Sequence, residues 1–180
     1  MKTIFLSLMM LWSLSPAQES EKTTLKVGDP APAFSLPDMN NNYVFLKDYS
    51  GVKLRKPWKN KVHHVVVISF FATWCGPCKK EIPHLNKLQA EFKGQAVKFF
   101  LIDVGETKEK VGSFLKTFRV DMPILLDRFK QTSGKYDANS LPRLVVIDKK
   151  GIVRKINRGF KDGAQFEKEL SDLISKLLAG

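Results

Sequence analysis

A chain of 180 residues with 43% hydrophobic content can bury the core of one compact domain and is too short for several. Lysine and arginine number 30 against 18 acidic residues, a formal charge of +12. Without a dense basic helix or a recognition motif, that excess describes a lysine-coated surface rather than a nucleic-acid binder. Only two cysteines are present, which excludes a disulfide framework and leaves one redox site.

Residues 1–17 read as a secretory signal peptide. Lys2 provides the charged start, 4–14 an apolar stretch too short for a comfortable membrane span, and Ser15-Pro16-Ala17 small residues before a cut. An uncleaved signal would leave the protein tethered to the membrane. Residues 18–25 form a polar, flexible segment, and 26–180 the folded domain. Strands are expected at 33–36 and 43–46, joined by the Asn-rich turn 38–42. The basic loop 51–61 carries Trp58, which either docks a partner or, the favoured alternative, packs on the hairpin. His63 and His64 open the next strand. Residues 62–71 form a near-continuous apolar run, the pattern of a central strand covered on both faces, with Ser69 its one polar interruption.

Trp74-Cys75-Gly76-Pro77-Cys78 follows that strand and opens a helix that runs to Phe92, with Ile82, Leu85 and Leu88 on its core stripe and a kink at Pro83. Two intervening residues put both sulfurs on the first helical turn, within bonding reach. Unpaired N–H groups and the positive end of the helix dipole lie beside Cys75 and favour its thiolate. Cys75 is thus expected to attack and Cys78 to resolve the mixed disulfide. Half of a zinc site completed by His63, His64 or His84 is the alternative. It lacks a second CxxC and any finger-like spacing.

Beyond the helix, 97–104 reads as a buried strand broken at Asp103, and Val111, Phe114, Leu115 and Phe118 mark a helix capped by Thr107. Residues 122–127 form a short strand. Residues 128–136 form a helix with Phe129, Thr132 and Tyr136 on one side. Leu141-Pro142 precedes a strand at 143–147. Residues 148–151 turn into an edge strand at 152–156, and Asp162 caps a final amphipathic helix.

The segment Phe70-Phe71-Ala72-Thr73-Trp74-Cys75-Gly76-Pro77-Cys78-Lys79 resembles the active site of the thioredoxin superfamily. Glu81-Ile82-Pro83 and Val27-Gly28-Asp29-Pro30-Ala31-Pro32-Ala33-Phe34-Ser35-Leu36 narrow the resemblance to the TlpA/ResA branch of exported thiol–disulfide oxidoreductases, over roughly residues 26 to 178. It implies an α/β thioredoxin-like fold: a central mixed β-sheet flanked by helices, with an N-terminal β-hairpin of the kind peroxiredoxins share and a central strand–helix insertion. It further implies a cis Leu141–Pro142 bond beside the cysteines, with Leu141 offering its backbone to substrate. Trp74, Gly76 and Pro77 complete the support of the site. Ser69 stands where thioredoxin has a buried aspartate that moves protons at the second cysteine. Glu81, Glu106 or water is left to fill that role. Arg143 stands where relatives carry a small or hydroxylated residue, so the local charge is expected to differ.

The expected function is thiol–disulfide exchange on exported, disulfide-bearing proteins. Gly-Pro between the cysteines favours the reductant, with apocytochrome c or another metalloprotein precursor as target class. A membrane thiol reductase is the implied electron donor, and the protein is expected to be an exported monomer, periplasmic or otherwise extracytoplasmic, with no cofactor or metal. Two alternatives remain open. A thiol-based copper chaperone suits soft thiolates but lacks a Met or His cluster. A thiol peroxidase shares the hairpin but lacks the Pro and Thr pattern before the first cysteine.

Overall fold

The computed structural model describes residues 24–57 and 59–180. The expected signal peptide, residues 18–23 and Trp58 lie outside the described residues. Two strands, β1 (Ser35–Pro37) and β2 (Tyr43–Phe45), pair antiparallel with Leu36 opposite Val44, and both side chains are buried. Asp38 shapes the turn between them: its Oδ1 accepts the N–H groups of Asn40 and Asn42 at 2.7 and 2.9 Å, and Asn41 takes the left-handed conformation. β1 starts two residues later than expected and extends to Pro37, and β2 stops one residue early because Leu46–Asp48 turn into a 3-10 helix.

Five further strands form the main sheet: β3 (Val65–Phe71), β4 (Val97–Val104), β5 (Ile124–Asp127), β6 (Arg143–Ile147) and β7 (Val153–Arg158), in the order β5-β4-β3-β6-β7. β3, β4 and β5 run parallel, while β6 and β7 are antiparallel to their neighbours. Four α-helices among the described residues pack against the sheet: α1 (Gly76–Glu91), α2 (Lys108–Leu115), α3 (Gln131–Lys135) and α4 (Gly163–Ala179). The mixed sheet and separate hairpin are the architecture that the sequence predicts.

Every residue of β3 is buried because both faces of the sheet are covered. Val65, Val67 and Phe71 face a core built with Ile82, Leu85 and Leu88 of α1, Val111 of α2 and Leu170 and Ile174 of α4. Val66, Ile68 and Phe70 face the hairpin and Tyr136. Tyr136 fixes the hairpin to the sheet: it is fully buried, its ring meets Phe34 and Phe70, and its hydroxyl donates to Pro32 O at 2.7 Å. Tyr136→Phe would leave that carbonyl without its donor. The expected cost is about 1–2 kcal/mol, read as a lower urea midpoint with an unchanged slope.

The basic loop is tied to the hairpin at Arg55, whose Nε donates to Asp48 Oδ1 at 2.6 Å and whose guanidinium lies over the Phe45 ring. The central strand begins at Val65 rather than at 62. His64 N–H instead donates to Tyr49 O at 2.7 Å, outside the ladder. Asp103 does not break its strand: it pairs with Phe71 and Leu126 and is fully buried, because β5 extends the ladder beside it. The expected helix at 128–136 contracts to α3, since Lys130 adopts φ 57° and halts it. Phe129 is consequently 81% exposed while Thr132 and Tyr136 are buried.

Thr107 and Asp162 cap α2 and α4, accepting from Lys110 and Gln165 N–H. α4 settles against α1 where Gly163 meets the His84 ring, leaving no space for a Cβ. No helix among the described residues is long and apolar enough to cross a membrane.

Candidate functional site

The chain leaves β3 at Phe71 and turns sharply, Cys75 N–H donating to Ala72 O at 3.0 Å. Cys75 is the N-cap of α1. Its φ of −75° and ψ of 104° are extended, and its Sγ accepts the N–H of Cys78 at 3.2 Å. Pro77 sits in the first turn, where no intrahelical donor is required. Cys75 and Cys78 are joined as a disulfide with Cα atoms 5.3 Å apart. Cys78 is fully buried, Cys75 retains 3% exposure, and Trp74 beside them is 69% exposed. The first sulfur thus lies at the positive end of α1, with the second more deeply buried behind it.

A groove of about 460 Å³ opens over this turn. Trp74, Cys75, Gly76, Pro77 and Leu141 line it, together with Lys130, Ser133 and Gly134 from the α3 region. The Leu141–Pro142 bond is cis, as the motif implies, and Pro142 is buried. Arg143 does not charge this groove. It is buried, and its Nε donates to Tyr136 O at 3.2 Å, away from the cysteines. Its terminal nitrogens have no hydrogen-bond partner among the described residues. Burial, with Arg158 nearby, lowers its pKa against the opposing pull of Asp137.

Three buried carboxyl groups are tied to the elements that carry the cysteines: Glu81 on α1, Glu106 through Thr73, and Asp103 through Glu106. Glu81 follows Cys78 by three residues on α1, so the two share one side of the helix, and both are buried. Ser69 Oγ donates to Glu81 Oε2 at 2.6 Å, while Oε1 has no hydrogen-bond partner among the described residues. Burial raises the Glu81 pKa to about 7, against the opposing effect of the Ser69 bond. The strand position that lacks an acid is thus met by an acid from the helix.

Glu106 is arranged differently. Thr73 donates to it from its N–H at 2.5 Å and its Oγ1 at 2.9 Å, and Lys110 Nζ lies 2.6 Å away. Burial pushes its pKa up, but Lys110 and Thr73 outweigh that, and the net shift is downward. Its neighbour Asp103 accepts the Glu106 N–H at 2.9 Å and is raised to about 7, by burial and by the Glu106 carboxyl. Sequence reasoning missed Asp103 in this cluster. The usable signal was its spacing, one turn before Glu106 at the end of a strand.

Trp74, Cys75, Gly76, Pro77 and Leu141 therefore share one groove. Pro142 lies in the buried layer, Cys78 and Glu81 lie within the fold, and Glu106 holds the loop that precedes Cys75. Among the described residues no group of three or more His, Cys, Asp or Glu side chains is gathered as a metal site.

Comparison with known proteins agrees with this geometry. The AhpC/TSA family profile matches residues 27–156. Thiol-disulfide oxidoreductase ResA of Geobacillus kaustophilus is 34% identical over 154 residues, covering 86% of this chain and 82% of that protein. ResA of Bacillus subtilis is also 34% identical, over 138 residues, 77% of this chain and 70% of the relative. Among solved structures, a chain described as a thiol:disulfide interchange protein DsbE from Chlorobium tepidum superposes with a TM-score of 0.73 at 27% identity, covering 86% of this chain and 99% of that one. An agreement this long, in both sequence and structure, makes the chain a member of the AhpC/TSA family and, within it, a thiol–disulfide oxidoreductase of the ResA type.

Proposed function

We propose that this protein is an exported reductase of protein disulfides, with Cys75 as nucleophile and Cys78 as resolving thiol. The observation that carries the reading is Cys75 at the helix N-cap, bordering the groove, with Cys78 fully buried behind it. In the dithiol form, the Cys75 thiolate attacks one sulfur of a substrate disulfide. The substrate's other sulfur leaves as a thiolate and takes a proton. Cys78 then gives its proton to Glu81, and its sulfur attacks Cys75 Sγ. The second substrate sulfur departs as a thiol, and the Cys75–Cys78 disulfide closes. Two electrons pass to the substrate, and a thiol reductase in the membrane is the donor that restores the dithiol. Glu81 suits the proton step because its raised pKa lets it gain and lose a proton near neutrality. Glu106 is charged and engaged by Thr73 and Lys110, so it positions the loop. Trp74, Gly76, Pro77 and Leu141 form the substrate face, and Pro142 backs it.

Signal-directed export places this chemistry outside the cytoplasm, where cysteine pairs awaiting haem or metal need a reductant. Apocytochrome c is the substrate class favoured here, and the protein acts as a monomer. Equilibration with defined thiol buffers tests the direction. A reduction potential near the thioredoxin value of about −270 mV is expected. One near the DsbA value of about −120 mV would overturn the reductase assignment.

A further inference from the structure

A second and larger groove, of about 880 Å³, lies beside the first. It runs between the β1–β2 hairpin and the segment from β5 to α3, at the carboxyl ends of β4 and β5. That is the end of the sheet from which Cys75 also emerges. α3 is the wall between the two grooves: Ser133 and Gly134 line the cysteine groove, and Gln131, Thr132 and Lys135 line the larger one.

The larger groove is basic. Lys47, Arg55, Lys108, Arg128 and Lys135 line it, against Glu106, Glu109 and Asp127. Two of those acids are already engaged: Glu106 by Thr73 and Lys110, and Asp127 by the Thr132 and Ser133 N–H groups. Arg55 is likewise held by Asp48. Among the described residues the charged ends of Lys47, Arg128 and Lys135 form no hydrogen bond or close ion pair, although Arg128 feels the Glu109 carboxylate across the groove, and all three residues are exposed. Two exposed aromatics, Tyr43 at 59% and Phe129 at 81%, border the same space. Phe129 is presented by a fixed turn: Lys130 N–H donates to Asp127 O at 2.9 Å, and the Asp127 carboxylate holds the first turn of α3. Little ordering is then required when a ligand arrives.

We infer that this groove docks an acidic segment of the disulfide-bearing substrate, next to the cysteines that are attacked in the neighbouring groove. The inference rests on the reductase reading and adds a substrate class to it. α3 is a helix roughly 10 Å across, and an extended chain advances about 3.3 Å per residue. The acidic residues therefore fall about three or four positions from the nearer target cysteine. The cations, which outnumber the acids lining the groove, attract them, and the aromatic rings cover the intervening apolar side chains.

The test uses the whole protein, reduced beforehand, in single turnover. Each dithiol reduces one disulfide of a cyclised peptide, with two electrons and two protons transferred. One peptide carries two glutamates four residues from a cysteine, a second has glutamines there, and a third has the glutamates ten residues away. The first peptide is expected to react about five- to tenfold faster than the other two, and the advantage is expected to collapse at about 0.5 M salt. In Arg128→Glu/Lys135→Glu the advantage should vanish, while the rate with neutral 2-hydroxyethyl disulfide stays unchanged. Equal rates on all three peptides, or an advantage that salt leaves intact, would overturn the docking inference even if the double variant failed to fold. Absence of reaction with 2-hydroxyethyl disulfide would instead sink the reductase reading itself.

Discussion

Cys75→Ser is expected to abolish disulfide reduction, whereas Cys78→Ser is expected to stop after one bond-forming step. The asymmetry follows from placement. Cys75 borders the groove at the amino end of α1, and Cys78 is fully buried one turn behind it. Without Cys75 the buried sulfur has no route to a macromolecular disulfide. Without Cys78 the first attack proceeds, but no sulfur stands ready to displace the substrate. The Cys78→Ser protein should accumulate as a stoichiometric mixed disulfide, gaining the mass of one substrate chain by intact mass spectrometry. If Cys75→Ser forms that adduct and Cys78→Ser does not, the two roles are reversed.

The second large effect is expected at Glu81. Its carboxyl is buried beside Ser69 and ionises at about 7 in the fold, against its ordinary 4.5. As a proton acceptor for Cys78, it should make the wild-type rate rise through pH 7. Glu81→Gln keeps the shape and the Ser69 hydrogen bond but removes the base. A loss of about 10²-fold at neutral pH is expected, with the rise displaced toward the free thiol range near 8.5. Stability should move the opposite way. A carboxyl whose pKa is raised in the folded state binds its proton more tightly there than in the unfolded chain. Its contribution is full below about 4.5 and is lost as pH rises through about 7. Above pH 7 the wild type carries a buried charge at a cost of about 3 kcal/mol, which Glu81→Gln lacks. Asp103 titrates with the same sign in both proteins, so the difference between them isolates Glu81. Urea unfolding at pH 5 and pH 8 reads it: parallel curves for the two proteins at both values would refute the assignment. A stabilised variant that reduces slowly would show stability exchanged for function at one carboxyl.

The sequence made the centre of this molecule legible and its margins less so. The apolar run into Trp74-Cys75-Gly76-Pro77-Cys78 determines strand, turn and helix together, because a buried strand and a capped helix each leave a local pattern. Leu141-Pro142 was legible only through resemblance, since nothing in a bare Leu-Pro pair favours the cis form seen here. Asp103 was misread because an acid in an apolar run signals a strand end. Only the pairing with β5 and the Glu106 N–H make its burial tolerable. Phe129 was misplaced for a related reason: helical spacing with Thr132 and Tyr136 suggested one packed side, but the left-handed Lys130 lies between them. Arg143 shows the same limit. Its number in the chain follows the proline of the site, yet strand alternation turns it to the other side of the sheet.

The Cys75–Cys78 bond spans only three positions and is the molecule's sole covalent crosslink. Closing so short a loop removes little freedom from the unfolded chain compared with bridges between distant segments. The two cores flanking the sheet, rather than this short bridge, are therefore expected to carry the architecture in either half of the redox cycle. Redox potential and folding energy are then linked in one thermodynamic square. Any surplus stability of the dithiol form over the disulfide form appears as a shift in potential relative to the unfolded chain, at about 1.4 kcal/mol for each 30 mV. The amide of Cys78 donates to Cys75 Sγ, and Glu81, held by Ser69, follows Cys78 on α1, so a change at any of these groups is expected to move that potential.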